Sequence, residues 1–257
     1  MILFILLSLT LPEWTAVAPG VEYARFVSGG EDIHAVRVDL ARAGIRVVSS
    51  NRGERGLRVS EFARKTKAIV AINGDYFNEA LQPSGLAAGP CGVWPGTKDT
   101  ERRGVVAVGR GRAAIYPQKH VLKRPARWMK SVVSGWPLIA SGCEALPASG
   151  IPGSDQFTRS PHPRTAAGLS RDRKSLLLVV ADGRRDGVPG LTLARLAEFM
   201  VEELGACVVM NLDGGGSSAL WIDDRIVNRP SDGAERKVAN HLAVIHARDE
   251  PRCDTDQ

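Results

Sequence analysis

The sequence predicts an α+β fold: a single domain in which a mixed, many-stranded sheet carries few covering helices. Three observations lead there. Apolar runs of strand length recur along the chain, one segment carries a clear helical stripe, and neither a repeat nor a linker divides two cores. With 257 residues, 44% of them apolar, the chain can bury a proper core.

The elements follow in order. HAVRVDL sets Val36, Val38 and Leu40 against Arg37 and Asp39, the period of a half-buried strand, and IRVVSS reads as its neighbour. Ser60 is placed to N-cap a short helix through EFARKTK, and AIVAI is a buried strand that stops at NGDYFN. A Gly- and Pro-rich loop from Pro83 to Gly96 is long enough to wall or cover a site. GVVAVGRGRAAIYP reads as a hairpin turning at Gly109 to Gly111, and VVSGWPLIASG as a strand entering a loop. RTAAGLSRDRKSLLLVVADGR gives two strands joined by the polar turn RDRK. The clearest helix is TLARLAEFMVEEL, with Leu193, Leu196, Ala197, Met200 and Leu204 on one face, Thr192 as N-cap and Gly205 closing the C-terminus. ALWIDDRIV turns at Asp223 and Asp224, and VANHLAVIHA is the last apolar strand.

The N-terminal run from Ile2 to Leu11 is too short to span a bilayer and has the length of a secretory core, although no positive charge precedes it. The expectation is a signal peptide over 1–18, a mature domain over 19–257, and a secreted or periplasmic location. Cys91, Cys143, Cys207 and Cys253 show no zinc-ligand spacing; two disulfides in any of three connectivities, or buried free thiols with Cys207 foremost, both fit. The formal charge of +6 favours anionic partners, but no aromatic-interleaved basic stripe points to nucleic acid.

Three apolar strands end in polar clusters: Asn73 and Asp75, Asp182 and Arg184, Asn211 and Asp213. A lone Asn-Gly or Asp-Gly is ordinarily a turn, yet three such ends on a rigid sheet are where sites are built. The third opens NLDGGGSSAL, whose glycines suit a sharp turn or a close approach. No lysine of a Walker loop follows them and no GxSxG elbow is formed, so Ser217 and Ser218 read as hydrogen-bonding groups rather than nucleophiles. His241 reads as a core residue, while His34, His120, His162 and His246 have no partner at ligand spacing.

NLDGGGSSAL, with AINGDYF, RTAAGLS and VVADGR in this order, resembles the phosphodiester glycosidase family, whose best-known member removes N-acetylglucosamine from a phosphodiester; membership fixes the reaction better than the sugar. The resemblance implies a glycosidase-type hydrolase working on a carbohydrate or sugar-phosphate substrate, with no cofactor, no metal, no nucleic acid and no stable membrane span. It carries over Asn73, Phe77, Arg164, Thr165, Asp182, Arg184, Asn211, Asp213, Gly214, Gly215, Gly216, Ser217 and Asn240; Asp75 is where the chain departs from the family pattern. A phosphate leaving group needs little protonation, so the expected chemistry is anion contacts beside a carboxylate. Arg164 and Arg184 would grip phosphate bidentately, the glycine amides would meet its other oxygens, and Asp213 and Asp182 would be the reacting carboxylates. Two other readings compete: a metal-dependent phosphodiesterase with an ion on Asp75, Asp182 and Asp213, and a glycan-binding domain without catalysis.

Overall fold

Runs rich in valine, isoleucine and alanine make this chain mostly strand, because β-branched side chains pack well on a pleated surface. The computed structural model describes residues 13–253. Its strands form three sheets, and every pairing between named strands is antiparallel, so the expected single mixed sheet is corrected. Hairpin turns of a few residues join many of the neighbours, and parallel neighbours would need long crossovers instead.

The largest sheet runs Thr15–Ala18, Val21–Ser28, Glu31–Asp39, Ser175–Ala181, Arg164–Ser170, Ala206–Asn211, Leu138–Ser141 and Glu144–Ala145. A second sheet orders Gly92–Val93, Ala88–Gly89, Ser131–Gly135, Gly104–Gly109 and Arg112–Tyr116. The third orders Arg225–Ile226, Leu220–Ile222, Val70–Asn73, His241–His246 and Ile45–Ser49. One apolar cluster is shared by all three: Val36, Val38 and Leu178 from the first, Val106 and Val133 from the second, Val70, Ile72 and Val244 from the third.

Helix Leu193–Glu202 covers the outer face of the large sheet, where Leu196, Ala197 and Met200 pack with Ala35, Ala166 and Val179. The Thr192 side chain caps it by accepting from the Arg195 amide at 3.1 Å. Leu196→Ala would remove buried methyl groups and cost roughly 2–5 kcal/mol. Helix Val59–Thr66 covers the third sheet through Phe62 and Ala63. Its N-cap is Arg58 rather than Ser60, because Glu61 reaches back to the Arg58 amide at 2.7 Å and draws Ser60 inside the first turn.

Several local expectations change for the same reason, that packing across sheets overrides short-range pattern. Glu31–Asp39 is buried on both faces through most of its length, since Ile33 and Ala35 lie under the helix. IRVVSS pairs with His241–His246 in another sheet, Val47 opposite Val244, and is not a neighbour of HAVRVDL. VVSGWPLIASG holds two strands in different sheets, joined at a cis Trp136–Pro137 bond. The Pro83–Gly96 loop is pinned rather than free: Ser134 Oγ donates to Leu86 O, Ser49 Oγ to Ala88 O, and Trp94 Nε1 to Ser50 O. Cys207 is not a free thiol; it pairs with Cys143 in the turn between Leu138–Ser141 and Glu144–Ala145, and Cys91 pairs with Cys253. The expected leader falls largely outside the described residues; its last part, Thr15–Ala18, pairs with Val21–Ser28.

Candidate active site

The apolar strands Val70–Asn73 and Ala206–Asn211 come from different sheets, and the loops that follow them are sewn together. Asn73 Nδ2 donates to Asp213 O at 2.7 Å, and the Asp213 amide donates to Gly74 O at 3.1 Å. Thr165, on the adjacent strand, donates its hydroxyl to Asn73 Oδ1 at 2.9 Å and stands 3.1 Å from Ser218 Oγ. Asn73 and Thr165 are fully buried and spend their polar groups on this frame, so they position Asp213 rather than meet a ligand.

Two carboxylates sit on the frame. Asp75 is buried; Oδ1 accepts from the Ser134 amide at 2.7 Å and from Asn240 Nδ2 at 3.0 Å, while Asn240 Oδ1 accepts from the Asp75 amide at 2.8 Å. Its Oδ2 has no hydrogen-bond partner among the described residues. Burial drives the Asp75 carboxyl well above its ordinary range, and the nearby charge of Asp213 pushes the same way. Asp213, partly buried, is pushed up to about 6, again chiefly by burial. Its Oδ1 accepts from the Gly214 amide at 3.0 Å; the Ser217 hydroxyl lies close enough to favour its charged form but meets no partner at bonding geometry.

Three cations and a phenol complete the surroundings. Arg164 is buried, with Nε donating to Leu191 O at 2.9 Å and Nη2 to Phe157 O and Ser160 O at 2.7 and 3.1 Å. Among the described residues no carboxylate lies within 4.0 Å of it, and burial lowers its pKa to about 10. The expected bidentate grip is therefore corrected: backbone carbonyls already take two of the three guanidinium nitrogens, and Nη1 is left for an anion. Arg103 lies with its guanidinium carbon 5.0 Å over the Tyr76 ring, near enough to act on both carboxylates. Asn211 donates to Tyr76 Oη at 2.6 Å and to Trp136 O at 2.8 Å, leaving its own buried Oδ1 unpartnered. Arg184, in the left-handed region at φ 57°, extends toward Gly215 and lies 3.5 Å from His162 Nδ1.

The triple glycine does a different job from the expected anion cradle. A Cβ on Gly214 would stand 2.8 Å from Pro163 O, one on Gly216 would collide with the Asp232 carboxylate, and Gly215 takes φ 60°. The Gly214 and Gly215 amides are already used, by Asp213 and by Pro163 O at 2.9 Å. The glycines thus let the string fold tightly against its neighbours and turn Asp213 into the site.

Asp182 does not join Asp213. Its oxygens accept from Asn228 Nδ2 at 3.1 Å, from the Arg229 amide at 2.9 and 3.1 Å, and from Arg185 Nη2 at 3.1 Å. Beyond Arg185 lies Asp32, which Arg25 also clasps at 2.8 and 2.9 Å. His34 completes this second cluster, its Nδ1 2.8 Å from Tyr23 Oη, so the expectation that it lacks partners is corrected. The carboxylate trio expected for a metal is not assembled, because Asp182 belongs to one cluster and Asp75 and Asp213 to the other. His241 is the core residue expected, bonded to Ser50 Oγ at 2.6 Å and Leu57 O at 3.1 Å, and burial lowers its pKa to about 3. Phe77 bridges only to Pro83. Tyr76 and Arg103 carry no sequence signal of their own, although Tyr76 sits inside the quoted AINGDYF.

A seam between antiparallel sheets thus holds two carboxylates of raised proton affinity, with Tyr76 in electrostatic reach of both Asp213 and the buried Arg164. The chain belongs to the phosphodiester glycosidase family, whose sequence profile matches residues 66–245. Two solved structures share the fold over 92% of this chain. The zebrafish N-acetylglucosamine-1-phosphodiester alpha-N-acetylglucosaminidase catalytic domain, auto-inhibited by its pro-peptide, has a TM-score of 0.70 at 17% identity and is covered over 84% of its length. A hypothetical protein from Synechocystis has a TM-score of 0.65 at 18% identity and is covered over 64%. The prophage-derived protein YomE of Bacillus subtilis strain 168 is 35% identical over 95 residues, which are 37% of this chain and only 14% of that relative. Family membership supports a glycosidase-type hydrolase in general, and no helix among the described residues is long and apolar enough to cross a membrane.

Proposed function

We propose that the chain is an exported hydrolase that cleaves the bond between an anomeric carbon and a phosphate oxygen, with N-acetylglucosamine-1-phosphodiesters as the first substrates to test. The observation that carries this is the pair Asp75 and Asp213, both raised by burial and Asp75 also by the charge of Asp213, with Tyr76 lying within electrostatic reach of both Asp213 and Arg164. Above pH 6 Asp213 is largely ionised and serves as nucleophile or base at the anomeric carbon, while burial favours the protonated form of Asp75, whose Oδ2 has no other partner among the described residues. Arg164 Nη1 and Arg184 hold the phosphate, an arrangement that removes the cost of an unpaired buried cation. The glycosidic C–O bond breaks, its electron pair leaves with phosphate, and water supplies the hydroxyl of the sugar and the proton balance. Asp182 and Asn240 act as positioning residues. Two disulfides fit an oxidising, extracellular location, and the apolar leader supplies a route there.

The test compares a sugar-1-phosphodiester with a simple aryl phosphodiester, each with and without a chelator. Hydrolysis of the sugar substrate alone, insensitive to chelator, is the expected result. Chelator-sensitive cleavage of both substrates would replace this reading with a metal-dependent phosphodiesterase, and binding without turnover would replace it with a glycan-binding domain.

A further inference from the structure

Sharing Arg103 with the surroundings of the two carboxylates lies a cleft of about 590 Å³, lined by Glu101, Arg102, Arg103, Gln118, Lys119 and Trp136. That is the size of a small-ligand site. Its charge is unbalanced: among the described residues Arg102, Arg103 and Lys119 have no carboxylate within 4.0 Å, and Glu101 alone opposes them. Lys119 takes the left-handed region at φ 75° in the turn that follows Arg112–Tyr116. Trp136 offers an aromatic wall, its ring stacked on Phe157 at 5.1 Å.

The cleft is continuous with the carboxylate site through two physical links. Arg103 belongs to both, since it lines the cleft and lies over Tyr76 within electrostatic reach of Asp75 and Asp213. Trp136 is tied to the catalytic string at both backbone groups: its amide donates to Asn211 O at 2.8 Å and its carbonyl accepts from Asn211 Nδ2 at 2.8 Å. An isolated sugar phosphodiester carries one phosphate, and Arg164 and Arg184 already answer that charge. Three further unpaired cations and a ring that can stack on a sugar face have no use for so small a substrate.

We propose that this cleft is a subsite for the next phosphate-bearing unit of a polyanionic glycan, so that the enzyme cleaves within or along a repeating sugar-phosphate polymer. This rests on the hydrolase reading above and names its substrate class. Trp136 stacks on the neighbouring sugar, Arg102 and Lys119 meet the neighbouring phosphate, and Arg103 bridges the two sites.

The test uses the whole chain, wild type and the double variant Arg102→Ala/Lys119→Ala, both substitutions being of exposed side chains outside the reacting groups. Two substrates are compared, the methyl phosphodiester of N-acetylglucosamine-1-phosphate and a polymer of N-acetylglucosamine-1-phosphate repeats. The expected result is a rise in KM for the polymer of about tenfold with kcat little changed, a weaker salt dependence of that KM, and unchanged kinetics on the short diester. Equal effects on both substrates, or none on the polymer, would overturn the subsite. Binding of the polymer to each protein is followed in parallel by tryptophan fluorescence. If neither substrate is hydrolysed, the hydrolase reading fails, while weaker polymer binding by the double variant still supports the subsite and equal binding still overturns it.

Discussion

The molecule has two buried carboxylate clusters at strand ends, and they differ in what surrounds the same kind of side chain. Around Asp32 and Asp182, guanidinium groups and amides stand at bonding distance, with Arg185 bridging the two carboxylates. The Arg25 contact holds the Asp32 carboxyl below its ordinary range. Around Asp75 and Asp213, the arginines stay out of bonding distance while burial raises both carboxyls, leaving an unpartnered oxygen on Asp75. Among the described residues, the first arrangement pairs each carboxylate with a cation at bonding distance, even though His34 Nε2 and Arg185 Nε stay without hydrogen-bond partners; the second leaves both carboxyls without a bonded cation. Burial plus an acidic residue at a strand end is therefore not enough to mark a reacting group. The partners decide.

The comparison breaks most sharply by mutation of one aspartate from each cluster. Asp213→Asn keeps the size of the side chain and is expected to lower kcat on the order of 10³-fold with substrate binding retained. Asp182→Asn should keep most turnover but lose about 1–3 kcal/mol of stability, because it weakens the buried contacts to Asn228, Arg229 and Arg185 while Arg185 keeps Asp32 as a counter-charge. Steady-state kinetics and denaturant unfolding on both variants decide it; the reverse pattern would return the chemistry to Asp182. Next in size is Arg164→Lys, which keeps charge but cannot reproduce the three carbonyl contacts and the free Nη1 together, and should lower kcat/KM about 10²-fold. Wild-type kinetics in that variant would leave Arg164 a purely structural residue.

A pH series sharpens the contrast further. If Asp213 must be ionised, kcat/KM rises with pH and levels off above about 6. Stability moves oppositely in the two clusters. Asp213 has its carboxyl raised, so the folded state holds a proton that the unfolded chain has lost, and its contribution weakens as pH climbs from the ordinary carboxylate range through about 6. Asp32 is lowered, so its contribution is present above the ordinary range and is lost as pH falls. Asp213→Asn should accordingly have a higher Tm than wild type near neutral pH and no such advantage near pH 4; a constant difference would argue against the raised carboxyl. The smallest effect expected is from Gly215→Ala. Its φ of 60° and the Arg184 Nη1 atom 3.0 Å from a new Cβ imply a cost on the order of 1 kcal/mol and a modest rise in KM, readable by thermal unfolding and kinetics.

Much of the local structure was legible in the sequence because it depends on local chemistry. The helix capped by Thr192, the hairpins at Gly109 to Gly111 and at Asp223 and Asp224, and the abrupt strand ends at Asn73 and Asn211 all follow from periodicity and turn residues. The three-sheet architecture did not follow, since nothing in IRVVSS says that it pairs with His241–His246 rather than with HAVRVDL. The site was legible to the same depth. Its string and its strand ends could be found, but the separation of Asp182 from Asp213 depends on Arg185, Asn228 and Arg229, and Arg103 reaches Tyr76 only through the packing of another sheet. Partner choice across distant segments leaves no periodic trace.

The hold that Asn240 has on Asp75 spans 165 positions of chain, and the one that Asn73 has on Asp213 spans 140. A nascent polypeptide that has emerged only as far as Asp213 already carries both acids, yet it lacks the amide that fixes one of them and the strand that lies beside the other's support. The arrangement around the two carboxylates is thus withheld until these most distant contacts have closed, which is the slow part of folding for such a topology. The string around Asp213 and the turn around Asp75 are two halves of one arrangement that only the last strand, His241–His246, brings to its final shape.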